Sequence, residues 1–185
     1  KVYHVSIPAL RVIARNWVLS HRSILFKKFI TIVDQLFTGD SREEKVLASM
    51  IFGKFPKFLI QVPAYEIDRW MGELTGWEEV DSFCIEIDVW LRVGSSTRVS
   101  LLKKWNKDKQ IEKRRASLVV LCSSVRHDDS EIFRNLSFSF INVLKAEKHV
   151  MTTKAISWLL RALIKYQKTE VSQYLKENAS TLPRI

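Results

Sequence analysis

Apolar residues recur at steps of three and four along almost the whole chain, and little interrupts them. Only five glycines and four prolines stand among 185 residues. So few breakers mean long helices and argue against an all-β fold. Pro8 suits a first helical turn, followed by Leu10, Ile13 and Trp17. A second helix is predicted from about Ser23 to Phe37, stopping at Gly39. Ser41 with Glu44 makes a capping box for a third. Pro56 and Pro63 break the next segment, and a helix follows to about Leu74. Further helices are predicted at about 77–93, 95–105, 111–126, 129–145, 150–166 and 169–178, with Gly76 before the first of these and Gly94 after it. No convincing alternating strand pattern is present.

Helices starting near 43, 77, 111 and 150 share a similar spacing, and Arg115-Ala116 returns as Lys154-Ala155 39 positions later. Helical repeats of about 40 residues are what HEAT-like arrays show. The expectation is an all-α chain: one domain over 1–185 in which HEAT-like antiparallel helix pairs stack into a curved solenoid. Such arrays present a concave face built from one helix layer.

Charge says what that face would meet. The formal net charge is +10. Residues 61–93 hold eight acids and two bases, net −6, so the rest of the chain carries +16. A segregated basic excess points to a polyanion, either nucleic acid or an anionic membrane surface. No run of 18 apolar residues suggests a membrane span. Charges interrupt the early apolar stretches, so no signal peptide is expected. The chain opens on Lys1 and reads as a fragment or processed piece. Cys84 and Cys122 lie in apolar helical stretches without metal spacing, as buried thiols in a reducing compartment would.

Three clusters carry candidate chemistry. On a wheel of residues 153–166, Ile156, Leu159, Leu160 and Leu163 gather on one side. Lys154, Trp158, Arg161 and Lys165 gather opposite, at steps of four, three and four. A core tryptophan would point the other way. The bland readings are packing against a neighbouring helix or stacking of an arginine on the indole. The functional reading is phosphate contact from the cations with an indole face offered beside them.

In "TGWEEVD", Trp77 and Asp81 stand at i and i+4 on one helix face. Val80, Phe83, Ile87, Trp90 and Leu91 centre elsewhere on that helix. A first-turn acid favoured by the helix dipole is the competing account of Asp81. The third cluster, "LLKKWNKDKQIEKRRAS", holds seven bases against Asp108 and Glu112, ordinarily a solvated face. Arg115, however, falls beside Leu118 and Cys122 on an apolar side. A partly buried arginine seeks a carboxylate or phosphate; Asp81 and a DNA phosphate are both candidates. His4, His21, His127 and His149 are scattered, and neither a glycine-rich phosphate loop nor a Cys/His metal pattern occurs.

Taken in order, these clusters resemble the AlkD-type glycosylases of the DNA alkylation repair enzyme family. "HVSIPALRVIA" (4–14) is similar to an early Pro-x-x-Arg helix, "GWEEVD" (76–81) to a Trp…Asp motif, and "EKRRAS" (112–117) to an Arg-Arg-x-Ala stretch. "TKAISWLLRALIK" (153–165) is similar to the most specific motif, Lys-Ala-Ile-Gly-Trp-x-Leu-Arg-Glu. The resemblance spans nearly the whole chain. It implies a curved right-handed solenoid with a basic concave face. It implies that Asp81, Trp77 and Trp158 line a cleft facing the lesion, while Arg115, Arg114, Lys154, Arg161 and Lys165 hold the DNA or support that cleft. The departures are Glu112 where many members have Trp, Ala162 where an acid normally follows Arg, and Gly76 in place of a frequent Asn. The chain also stops at "LPRI", where the family continues.

The chemistry fits the residues. An N3- or N7-alkylated purine is already cationic, and its glycosidic bond is weak. A carboxylate that stabilises an oxocarbenium-like sugar and places a water is what remains to be supplied. The expectation is therefore a monofunctional alkylpurine DNA glycosylase acting on duplex DNA. It would be a cytoplasmic monomer (nucleoid-associated if bacterial), with no metal, no cofactor and no membrane partner. The alternatives are a non-catalytic HEAT-like DNA-binding module, to which the departures at Glu112 and Ala162 point, and a solenoid binding an acidic protein. A Schiff-base lyase using Lys154 is the weakest reading.

Overall fold

The computed structural model describes residues 2–94, 96–127 and 129–183. Among them every regular element is a helix, as the apolar periodicity predicts. The chain forms two compact units, residues 1–94 and 95–185.

The first unit holds α1 (Ile7–Ser20), α2 (Phe26–Phe37), α3 (Arg42–Phe52), α4 (Pro56–Leu59), α5 (Ala64–Gly72), α6 (Trp77–Glu86) and α7 (Asp88–Arg92). α3 is its hub and packs against α1, α2 and α6. The predicted capping box starts it: the Ser41 hydroxyl accepts from the Glu44 amide at 3.1 Å, and the Ser41 amide donates to Glu44 Oε2 at 2.8 Å. The core is aromatic. Phe29 and Phe37, two turns apart on α2, are fully buried, and Phe37 lies 5.1 Å from the Trp70 ring and 5.2 Å from Phe83. The Trp70 indole N–H reaches out of this cluster to the Asp34 carboxylate at 2.8 Å, so the large ring is buried without an orphaned donor.

Two details differ from the sequence-based expectation. α1 buries Leu10 and Ala14, whereas Ile13 is 46% exposed and Trp17 is half-buried, its ring stacked on His21 at 4.2 Å. Small Ala14 takes the packing position that larger Ile13 was expected to fill. The helix predicted over 77–93 turns at Ile87 (φ −80, ψ 1) into α7. There the Trp90 indole donates to the Val62 carbonyl at 2.8 Å, and α7 packs on α4.

The second unit holds α8 (Ser96–Trp105), α9 (Ile111–His127), α10 (Glu131–Leu144) and α11 (Val150–Asn178). α9 packs against all three others. Every residue from Arg115 to Cys122 is buried, so α9 has no solvent face along two turns. A helix covered all round in this way is a core helix. α11 is continuous in hydrogen bonding but non-helical at Gln167 (φ −120, ψ 37), where the sequence predicts a break between two helices. Buried Gln167 donates to the Asp129 carboxylate and accepts from Arg134 Nη1 at 3.3 Å, which fixes the kink. Cys84 and Cys122 are buried free thiols. No helix among the described residues is long and apolar enough to cross a membrane.

Candidate nucleic-acid interface

In the first unit the candidate residues belong to α6. Its inner face is set by Val80, Phe83 and Cys84, all fully buried. That anchoring turns Trp77 outward. As the first helical residue, after Gly76, it is 52% exposed, with Asp81 half-buried one turn on. Two neighbouring acids make contacts at the start of the helix. Glu78 is paired with Arg42, and buried Glu79 accepts from the Thr75 amide at 2.9 Å at the helix start. The dipole-favoured acids of the first turn are thus Glu78 and Glu79. Asp81 lies beyond that turn.

In the second unit the basic pair on α9 has divided roles. Arg114 is a strap. Its Nε and Nη2 donate to the two Glu147 oxygens at 2.9 and 2.7 Å, and Nη1 donates to the carbonyls of Asp108 and Lys109. The Arg114 guanidinium holds the Glu147 carboxyl below its ordinary pKa, and burial opposes this only in part. Glu147 in turn raises Arg114 further. This bidentate pair ties the first turn of α9 to the segment before α11, so Arg114 is engaged inside the unit. Arg115 is only 6% exposed and donates from Nη1 to the Met151 carbonyl at 2.5 Å, tying α9 to the first turn of α11. A backbone carbonyl thus occupies one donor of a guanidinium that the sequence paired with a carboxylate or a phosphate.

α11 carries the stripe drawn on the wheel. Ile156, Leu159 and Leu163 are at most 1% exposed and Leu160 8%, while Lys154, Arg161 and Lys165 are exposed. Trp158, on the same side as those cations by the wheel, is half-buried. Arg161 donates to the Ser157 hydroxyl one turn back. Lys165 donates to the Arg126 carbonyl at 2.8 Å near the end of α9 and stands 4.8 Å from the Tyr166 ring. It therefore serves partly as a cap, as cations do at helix C-termini. Of the departures, Ala162 is 1% exposed and belongs to the core face, whereas Glu112 is half-buried.

The model of the DNA alkylation repair enzyme family matches residues 1–185. The chain belongs to that family. Its members are named as enzymes of DNA repair, and the DNA of the family's name is the polyanion that the basic charge calls for. Two solved structures share the fold of this family member. One, from Enterococcus faecalis, is described as a predicted DNA alkylation repair enzyme; it is 14% identical with a TM-score of 0.77, over 94% of this chain and 79% of that one. The other, smu.31 from Streptococcus mutans UA159, is 17% identical with a TM-score of 0.64, over 92% and 83%. No curated protein matches the chain in sequence.

Sequence reasoning missed Arg15 and Glu86 and gave Arg11 no role beyond its place in the Pro-x-x-Arg stretch; the three share a cavity in the first unit. The spacing of Arg11 and Arg15 was the available signal: two cations at i and i+4 with no acid beside them on α1.

Proposed function

We propose that this family member is a glycosylase that releases positively charged N3- and N7-alkylated purines from duplex DNA by hydrolysis. The observation that carries the reading is Asp81. It is a half-buried carboxylate beyond the capping turn of α6, one turn from an indole more than half exposed to solvent. A carboxylate so placed stabilises positive charge developing on the sugar and orients the attacking water. Trp77 offers a π face to a cationic nucleotide, and Trp158 does the same among the cations of α11. Lys154 and Arg161 contact phosphates, with Lys165 beside them. Arg114 and Arg115 act one step back, by fixing the start of α11 from which that stripe runs.

The leaving base is already cationic, so no general acid is needed. The rate gain comes from electrostatics and from holding the water in line. The test is base release from duplex DNA methylated at purine N3 and N7, wild type beside Asp81→Asn. Free methylpurine from wild type alone supports the reading. Equal release from both removes Asp81 from its role. No release from either, with duplex binding intact, favours a non-catalytic DNA-binding module. Glu112, at a position where the resemblance leads one to expect Trp, is the residue that favours this second reading.

A further inference from the structure

A cavity of about 460 Å³ opens in the first unit beside α1, α3 and α6. Ligand pockets commonly fall in this size range. Its lining is chemically mixed. Arg11 and Arg15 reach it from α1, Lys54 from just beyond α3, and Ser82, Ile85 and Glu86 from α6; Val18, Leu19 and Met50 supply apolar wall.

Three observations argue that it is a site. First, Arg11 and Arg15 are exposed like charges at i and i+4, an arrangement that destabilises a helix unless something anionic answers it. Among the described residues no carboxylate lies within pairing distance of either. Second, the Glu86 carboxyl is half-buried and makes no hydrogen bond among those residues. Burial raises its pKa, against the pull of the Lys54 charge. Third, the backbone makes room for it, because a Cβ on Gly53 would overlap the Glu86 carboxylate. The Glu86 carboxylate thus packs against Gly53, at the C-cap of α3.

We infer that this cavity binds one nucleotide unit, with its phosphate at Arg11 and Arg15 and the donor edge of its base at Glu86. Paired cations donate charge-assisted hydrogen bonds to phosphate oxygens. A carboxylate has two acceptor oxygens and suits a base edge with adjacent N–H donors, as guanine has. The apolar wall covers the ring faces. The nucleotide comes either free or as an unpaired residue of a DNA strand. Trp77, Asp81 and Ile85 follow one another at four-residue steps along α6, so the wall of the cavity continues the stripe that holds Asp81. The inference does not rest on base release.

The test titrates the whole protein with 2′-deoxyguanosine 5′-monophosphate, deoxyguanosine and inorganic phosphate, read by amide chemical shifts. The monophosphate is expected to shift amides around Gly53, Ser82 and Glu86, and to bind more tightly than either half alone. Arg11→Ala with Arg15→Ala should weaken it about tenfold or more. Both side chains are exposed, so that variant keeps its fold. Glu86→Gln should erase the preference for guanine over adenine. Phosphate binding as tightly as the nucleotide, an unchanged double variant, or shifts elsewhere would each overturn the inference. Competition by a duplex with one unpaired guanine, but not by a fully paired duplex, identifies the strand as the source; no competition by either identifies the free nucleotide. Asp81→Asn should bind the monophosphate as wild type does, so failure of the glycosylase reading and failure of this one give different results.

Discussion

Trp77 and Ala162 lie at opposite extremes of burial, and their substitutions should separate function from stability. Trp77 is 52% exposed, so Trp77→Ala should move folding stability by no more than about 0.5 kcal/mol while base release falls. Urea denaturation beside the release assay checks both halves. Ala162 is 1% exposed on the inner side of α11. Ala162→Glu would restore the acid that the motif carries elsewhere, but here it places an unpaired carboxylate in a core. It should cost about 3 kcal/mol or more, read as a lowered denaturation midpoint. Glu112→Trp, at a half-buried position, should be tolerated far better. The sequence alone named Glu112 and Ala162 as equivalent departures. Burial separates them, and burial depends on which neighbours a helix acquires.

Between elements, the decisive contact is the bidentate Arg114–Glu147 pair joining the first turn of α9 to the approach to α11. Arg114→Ala should cost about 2 kcal/mol, because charged hydrogen bonds are lost and Glu147 is left half-buried without its partner. Its pH signature has a definite sign. The folded pKa of Glu147 lies below its unfolded value of about 4.3. The stabilisation is therefore complete above that value and fades as pH falls through the folded pKa. Between about pH 5 and 3, wild type should lose more stability than Glu147→Gln, and urea midpoints across that window check it. The helices themselves were largely legible. The capping box at Ser41 and Glu44 and the α11 stripe are local matters of spacing and caps. The turn at Ile87, the rotation of α1 toward Ala14 and the carbonyl partner of Arg115 were not, because each is set by a neighbour distant in sequence. Asp81 and Trp77 could be named from their spacing, but that Glu78 and Glu79 take the first turn of α6 while Asp81 follows it depends on where the helix starts.

Over the whole chain, a net charge of +10 coexists with an acidic stretch at 61–93 that contains Asp81. Removing one cation from a DNA phosphate should lower the slope of log affinity against log salt by about 0.9. Lys154→Ala and Arg161→Ala should each do so, measured by titrating duplex at several salt concentrations. Arg114→Ala should leave that slope unchanged, since its guanidinium is engaged internally. A flattened slope there would return it to the residues that touch DNA.

The complete enclosure of α9 also bears on how the second unit opens. Its amides between Arg115 and Cys122 have no exposed face from which to exchange. They should trade hydrogen for deuterium only when the unit unravels as a whole, and so report its global free energy. The turns of α11 beyond Gln167 have few buried side chains and a kink behind them, and should exchange much sooner. On that ordering α9 is the last part of the unit to lose its protection. The Arg115 anchor would then hold the start of α11, and the Lys154 turn with it, while the tail of the same helix frays.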